Sequence, residues 1–174
     1  MNLVDTFQNL VAQVPELVQP LIVALAAAVP FIEGEGAAVI GVIGGIHPVV
    51  AAVSAVIGNF VCVAVLVVLG AGARQVIVSR RAVRVGAAGE EPAEPAEPTR
   101  AQARRAKFQR ALTRYGVPGV SLLGPLLLPT HFTATMLAAA GVGKARVLAW
   151  QAVAIVGWTT ALTLVVTGAF RVFG

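Results

Sequence analysis

The stretch LVQPLIVALAAAVPFIEGEGAAVIGVIGG, residues 17–45, decides how this chain is read. It is 29 residues long, apolar except for a few polar positions, broken by Pro20 and Pro30, and carries Glu33 and Glu35 in its middle. A helix crossing ~30 Å of hydrocarbon at ~1.5 Å per residue needs ~20 apolar residues, so two crossings and a turn would need more than ~40. One straight crossing is opposed by the prolines and by two carboxylates at mid-length. The segment suits two half-helices of about 10 to 12 residues joined at a tip around Pro30, a hairpin that dips to mid-membrane and returns. Irregular backbone at that depth persists only where protein or a water-filled cavity surrounds it.

Working outward, the cluster Gly44-Gly45-Ile46-His47-Pro48 ends this segment. Residues 49–73 then form an uncharged run long enough for one full span. The problem recurs downstream. Residues 118–143 number 26 and hold Pro118, Pro125, Pro129 and His131 in their first half, which predicts a second hairpin with its tip at Pro129. Residues 147–170 supply a second full span. Sliding the chain against itself by 99 positions aligns Pro30 with Pro129, Gly44 with Gly143, Ala55 with Ala154, Gly58 with Gly157 and Val67 with Val166. Each half opens with an amphipathic helix. The first places Leu3, Phe7, Leu10, Val11 and Val14 on one stripe; the second sets Phe108, Leu112 and Tyr115 among Arg104, Arg105, Lys107, Arg110 and Arg114.

The predicted fold is therefore an all-α integral membrane protein of two inverted repeats. The first repeat covers 1–73, with an interfacial helix at 2–14, the hairpin at 17–45 and the transmembrane helix at 49–73. A basic and then disordered Pro/Ala/Glu linker covers 74–99. The second repeat covers 100–174, with an interfacial helix at 100–115, a hairpin at 118–143 and a transmembrane helix at 147–170. The competing reading makes each hairpin one kinked, tilted span, for four crossings in all.

Composition agrees with a membrane address. The 174 residues are 57% hydrophobic and 12% charged, with a mean hydropathy of +0.85. Soluble domains carry ~25% charged residues, so an ordinary soluble domain is excluded. The net charge of +5 is local: ten of the 13 Lys and Arg residues lie between Arg74 and Arg114. That is one loop and not a nucleic-acid-binding face. By the positive-inside rule, 74–117 is cytoplasmic in the plasma (inner) membrane, and two full spans then put both termini outside. Four spans would put the termini inside, where residues 1–16 offer no Lys or Arg to hold them. Within the loop, GAAGEEPAEPAEPT at 86–99 has the composition of a disordered linker.

Enzymatic signatures are missing. Cys62 is the single cysteine, so there is no intrachain disulfide and no CxxC site. Residues 1–14 lack the basic n-region of a secretory signal. Gly34-Glu35-Gly36 opens a GxGxxG pattern, but Val39 stands where the third glycine belongs. HExxH, GxSxG and GxxxxGK[ST] do not occur, and no catalytic residue, metal or cofactor is expected.

The chemistry is expected at the hairpin tips. Glu33 and Glu35 are the only acidic residues between Glu16 and Glu90. A charge at the bilayer centre costs ~2.5 to 3.5 kcal/mol or more, so a carboxylate there needs a cavity, a partner or a proton. The functional reading is a proton-coupling or cation-binding carboxylate; the plainer one is a shallow hairpin with both groups in headgroup water. Two residues apart, only one of them should face a given cavity from a regular helix. Thr130 and His131 form the polar tip of the second hairpin, where an imidazole can relay protons or pair with a carboxylate from the opposing tip. Thr133 and Thr135 are expected to bond backbone carbonyls. Asn59, inside the first span, needs a partner, expected to be a hairpin backbone group freed by Pro30. Trp158 is expected to pack, and His47 to sit in an interfacial turn. Lys144 and Arg146 read as cytoplasmic anchors or headgroup contacts.

The run PFIEGEGAAVIGVIGGIHPVVAAVSAVIGN, followed by RYGVPGVSLLGPLLLPTHFTATMLAAAGVG and a last span containing Gly157, resembles the small multi-drug export protein family. The hairpin arrangement is similar to that of the DedA (SNARE-associated) family. The resemblance covers roughly 29–72 and 114–167. It implies a hairpin-one carboxylate, Glu33 or Glu35, facing the Pro129 to His131 tip. It also implies proton-coupled export of amphipathic or cationic small molecules, or, in the DedA manner, translocation of a polyprenyl-phosphate lipid carrier, for which Lys144 or Arg146 would matter more. DedA-type second hairpins carry arginines suited to phosphate, whereas the tip here offers His131. A non-transporting membrane scaffold is the third expectation. Expected partners are the small substrate or lipid carrier, membrane lipids and a second copy in a homodimer, without nucleic acid.

Overall fold

In a computed structural model, residues 3–85 and 100–173 are described, and all their regular elements are helical. The α-helices are α1 (Leu3–Gln13), α2 (Gln19–Ala27), α3 (Glu33–Ile43), α4 (Pro48–Val85), α5 (Arg100–Leu123), α6 (Thr130–Ala139) and α7 (Lys144–Phe173), with a 3-10 turn at Gly124–Leu126. Side chains of residues 71–85, of 100–102, and of 104, 105 and 173 lie outside the description.

The punctuation falls where proline and glycine put it. Pro20 occupies the first turn of α2, where its missing N–H costs nothing, and Pro48 opens α4. Within α5 the helical path breaks at Gly116, whose φ of 66° and ψ of −174° are incompatible with helix. Residues 100–115 and 117–123 are thus two helices meeting at an angle. At nine and 11 residues, α2 and α3 are about 14 and 16 Å long; α6, with ten, is about 15 Å. Each is roughly half a bilayer. By contrast, Pro48–Gly70 of α4 and Lys144–Val172 of α7 are long and apolar enough to cross a membrane. Only 22% of each of their most apolar windows is buried inside the molecule, which separates them from the core helices of a soluble domain.

Neighbouring contacts give the short helices their direction. Gly58 on α4 lies against the backbone of Ala24 on α2, and one turn later Cys62 Sγ is 3.5 Å from the Ala28 carbonyl oxygen, so α2 runs the same way as α4. On α3, Gly34 meets Asn59 while Gly41 meets Ala51, so α3 runs back. The pair α2 and α3 is a helical hairpin alongside one half of α4. Helices α5 and α6 pack on α7, and α3 and α6 each touch both long helices.

One face of α4 shows the division plainly. Ala51, Ala55, Asn59, Val63 and Val67 recur every fourth residue and all are buried. Ala51 and Ala55 join the apolar cluster containing Val23, Ala37 and Ile40; Val63 and Val67 join the one containing Val120, Ala134 and Leu137. Asn59 sits where the two clusters meet.

Two expectations need correction or limit. Residues 74–85, assigned by composition to the linker, continue α4 as helix. Their basic side chains do not interrupt a helix, because Arg and Lys are good helix formers and only Gly86 onward brings breakers. The disorder expected at 86–99 lies outside the described residues.

Candidate functional site at the hairpin tips

The sharp turn after α2 is made by Val29, Pro30, Phe31 and Ile32, with Phe31 at φ 75° and Glu33 at φ 53°. Positive φ in two non-glycine residues costs of order 1 kcal/mol or more each, so surrounding contacts hold this turn. One of them is the ring of Phe132, 6.2 Å from that of Phe31 and on the opposing tip. The other concerns Glu33 itself.

Glu33 begins α3 and Thr130 begins α6, the latter after Pro129 as its N-cap residue. Their side chains meet. Thr130 Oγ1 donates to Glu33 Oε2 at 2.8 Å, and His131 Nδ1 lies 3.0 Å from Glu33 Oε1, where an Nδ1–H donates to the carboxylate. Glu33 is 6% exposed, Thr130 1% and His131 3%. The carboxylate also sits at the first turn of α6, where the unpaired N–H end of the helix favours negative charge. With Nδ1 committed, Nε2 of His131 is buried without a hydrogen-bond partner among the described residues.

Beside it opens a cavity of about 330 Å³ whose walls include Phe31, Glu33, Glu35, Leu126, Trp158 and Leu162, with no basic residue in the lining among the described residues. Both carboxylate residues therefore reach one cavity, contrary to the expectation for a regular helix. The reason is the positive φ of Glu33, which takes the first residue of α3 off the helical path. Trp158, expected only to pack, donates its indole N–H to the Leu122 carbonyl oxygen at 2.9 Å. That fixes its ring at the cavity wall and pairs a carbonyl left open where the helix ends at Gly124.

Behind Glu33, the α-carbon of Gly34 faces Thr159 and Asn59 so closely that a Cβ would collide with Thr159 Oγ1 and lie 3.4 Å from Asn59 Nδ2. The partner expected for Asn59 is not found. Both of its amide atoms, and Thr159 Oγ1, are buried without hydrogen bonds among the described residues, and Gly34 presents no side chain to them. Asn59 is the central residue of Pro48–Gly70, and Thr159 is one residue past the centre of Lys144–Val172. Thr159 and Gln151, also buried and unpartnered, were missed, although an amide and a hydroxyl at i and i+8 in an apolar run are the same signal that drew attention to Asn59.

Thr133 and Thr135 bond the carbonyls of Pro129 and Phe132, as expected. His47 is exposed and accepts from the Val49 N–H at 3.3 Å. Lys144 and Arg146 are exposed at the start of α7 and are not brought to Glu33; the length of α6, about 15 Å, intervenes.

Replacing Thr130 by Val keeps the shape and removes one of the two donors to a buried carboxylate. The expected loss is about 2 kcal/mol, read as a lower thermal midpoint in detergent, and Thr130→Ser should retain most of it. No family model, curated protein or solved structure matches this chain.

Proposed function

We propose that the chain is a small multi-pass transporter of the inner membrane that couples proton movement to export of amphipathic or cationic small molecules. In this reading the helical hairpins are re-entrant, and the two halves are inverted repeats around them, an architecture of secondary transporters. Residues 74–117 face the cytoplasm and both termini lie outside.

The observation that carries the proposal is the Glu33–Thr130–His131 contact, made between the two hairpins at the level of Asn59 and Thr159, the midpoints of the two long apolar helices. A proton-exchanging carboxylate at that level borders a cavity with a second carboxylate, aromatic walls and no basic side chain. A cation suits those walls, by charge and by cation–π attraction. A lipid phosphate does not, which disfavours the carrier-translocase reading; a passive scaffold has no use for a buried carboxylate shared between halves.

Two measurements test this. In proteoliposomes with a pH gradient, ethidium as the probe is expected to accumulate faster than in protein-free vesicles and to dissipate the gradient as it moves. Equal rates overturn the export reading. For the topology, Leu17→Cys and Gly45→Cys, in a Cys62→Ser background, are expected to react with an impermeant maleimide from the same side of the membrane. Labelling from opposite sides means that residues 17–45 cross it, and the re-entrant reading fails.

A further inference from the structure

Two unpartnered polar side chains at the middle of the fold call for a physical reason. Asn59 is 1% exposed and Thr159 is fully buried, and each would lose little by replacement with an isosteric apolar residue if it served packing alone. Leaving an amide and a hydroxyl without hydrogen bonds in an apolar interior costs roughly 1 to 3 kcal/mol each. Both are donors, they converge on Gly34, and Gly34 is the residue after Glu33. On its other side, Glu33 holds the only hydrogen bonds between the hairpins among the described residues, to Thr130 and His131. Its own backbone, at φ 53° beside Phe31 at φ 75°, is in a conformation that non-glycine residues keep only under constraint.

We infer that Asn59 and Thr159 form a second docking position for the Glu33 carboxylate, occupied when its bonds to Thr130 and His131 are released. The carboxylate then has two sets of two donors. One set, on the second hairpin, ties the halves together. The other, on α4 and α7, lets the hairpins part without leaving the carboxylate bare. The missing Cβ of Gly34 matters here, because any side chain at that position would collide with Thr159 and block the approach. The inference rests on the transport reading above for its purpose, but the two positions are a property of the protein without substrate.

The groups that face Glu33 are few. On its own helix there is Glu35; α6 contributes Thr130 and His131; α4 and α7 bring Asn59 and Thr159 against the adjacent Gly34. Helix α2, packed on α3, carries no charged residue.

The Phe31 and Phe132 rings mark the closed state, so the rate of disulfide formation between Phe31→Cys and Phe132→Cys, in a Cys62→Ser background and without substrate or gradient, measures how much of the time the tips are together. If the second position exists, removing its donors with Asn59→Leu and Thr159→Val favours the closed tips and raises the rate. Removing a first-position donor with Thr130→Val lowers it by about thirtyfold, the effect of one hydrogen bond to a charged group. Combining the changes returns the rate toward that of the parent, and Thr159→Ser, which keeps the hydroxyl, behaves like the parent. Thermal midpoints of all variants show which of them are folded. An unchanged or lower rate in a folded Asn59→Leu/Thr159→Val protein overturns the inference, and Thr159→Val alone serves if the double variant does not fold. Failure of the transport reading registers separately, as absent ethidium movement in a protein whose cross-linking responds as described.

Discussion

Proteoliposomes carrying Glu33→Gln are expected to show no gradient-driven ethidium movement above protein-free vesicles, while the protein keeps its fold. The amide has nearly the shape of the carboxyl and can still bond Thr130, whose hydroxyl rotates to accept or donate, and His131, through its carbonyl oxygen. Thermal midpoints should therefore move little. What the amide lacks is a proton to release. If Glu33 is the exchanging group, no neighbour can replace it: Glu35 lines the same cavity but makes no hydrogen bond to the second hairpin. Glu35→Gln is accordingly expected to retain proton coupling and to weaken uptake of the cation by about tenfold, as loss of one counter-charge in a poorly hydrated cavity does. Wild-type flux in Glu33→Gln would remove the carboxylate from the mechanism.

Gly58→Ala should cause a large loss of stability, since among the glycines described its Cβ would make the closest approach to backbone. A Cβ at Gly58 would lie inside the backbone of Ala24, and backbone cannot rotate away as a side-chain tip can. Helix α2 would have to move off α4, breaking the contact that Cys62 makes with Ala28 one turn later. Overpacking of this kind costs about 3 kcal/mol, a fall of roughly 6 to 12 °C in Tm for a chain of this size. Gly157, aligned with it at the offset of 99 positions, is the control. A Cβ at Gly157 meets nothing within 4 Å, so Gly157→Ala should be neutral or gain up to about 1 kcal/mol from helix propensity. Equal effects at the two positions would mean that α2 does not lie against α4 as described.

That contrast also marks the limit of the 99-residue self-alignment as a guide. Gly58 and Gly157 are identical by alignment, yet one is a close helix contact and the other faces open space. A similar difference separates Asn59 from Trp158 at the next pair: one is an unpartnered amide at the centre, the other a ring tied to Leu122 and set in the cavity wall. Residue spacing places an element; it does not say which neighbour comes to meet it.

The helix plan was legible from the chain alone because it follows from local rules. Prolines and clustered glycines mark where helices begin and end, and apolar length says which helices are long enough to span. These rules marked the short helices on either side of Pro30 and Pro129, a boundary between residues 115 and 118 and the two long helices, and they drew attention to Glu33, Glu35, Thr130 and His131 as the polar content of the tips. Where α4 ends was less legible, since helix-forming arginines carry it past the apolar stretch to Val85. Tertiary structure alone decided that Glu33 and not Glu35 bonds Thr130 and His131, that both carboxylate residues still share a cavity, and that Asn59 and Thr159 lie unpaired behind them. Those facts depend on a positive φ at one residue and on contacts between side chains some 97 to 98 positions apart, and neither leaves a trace in local spacing.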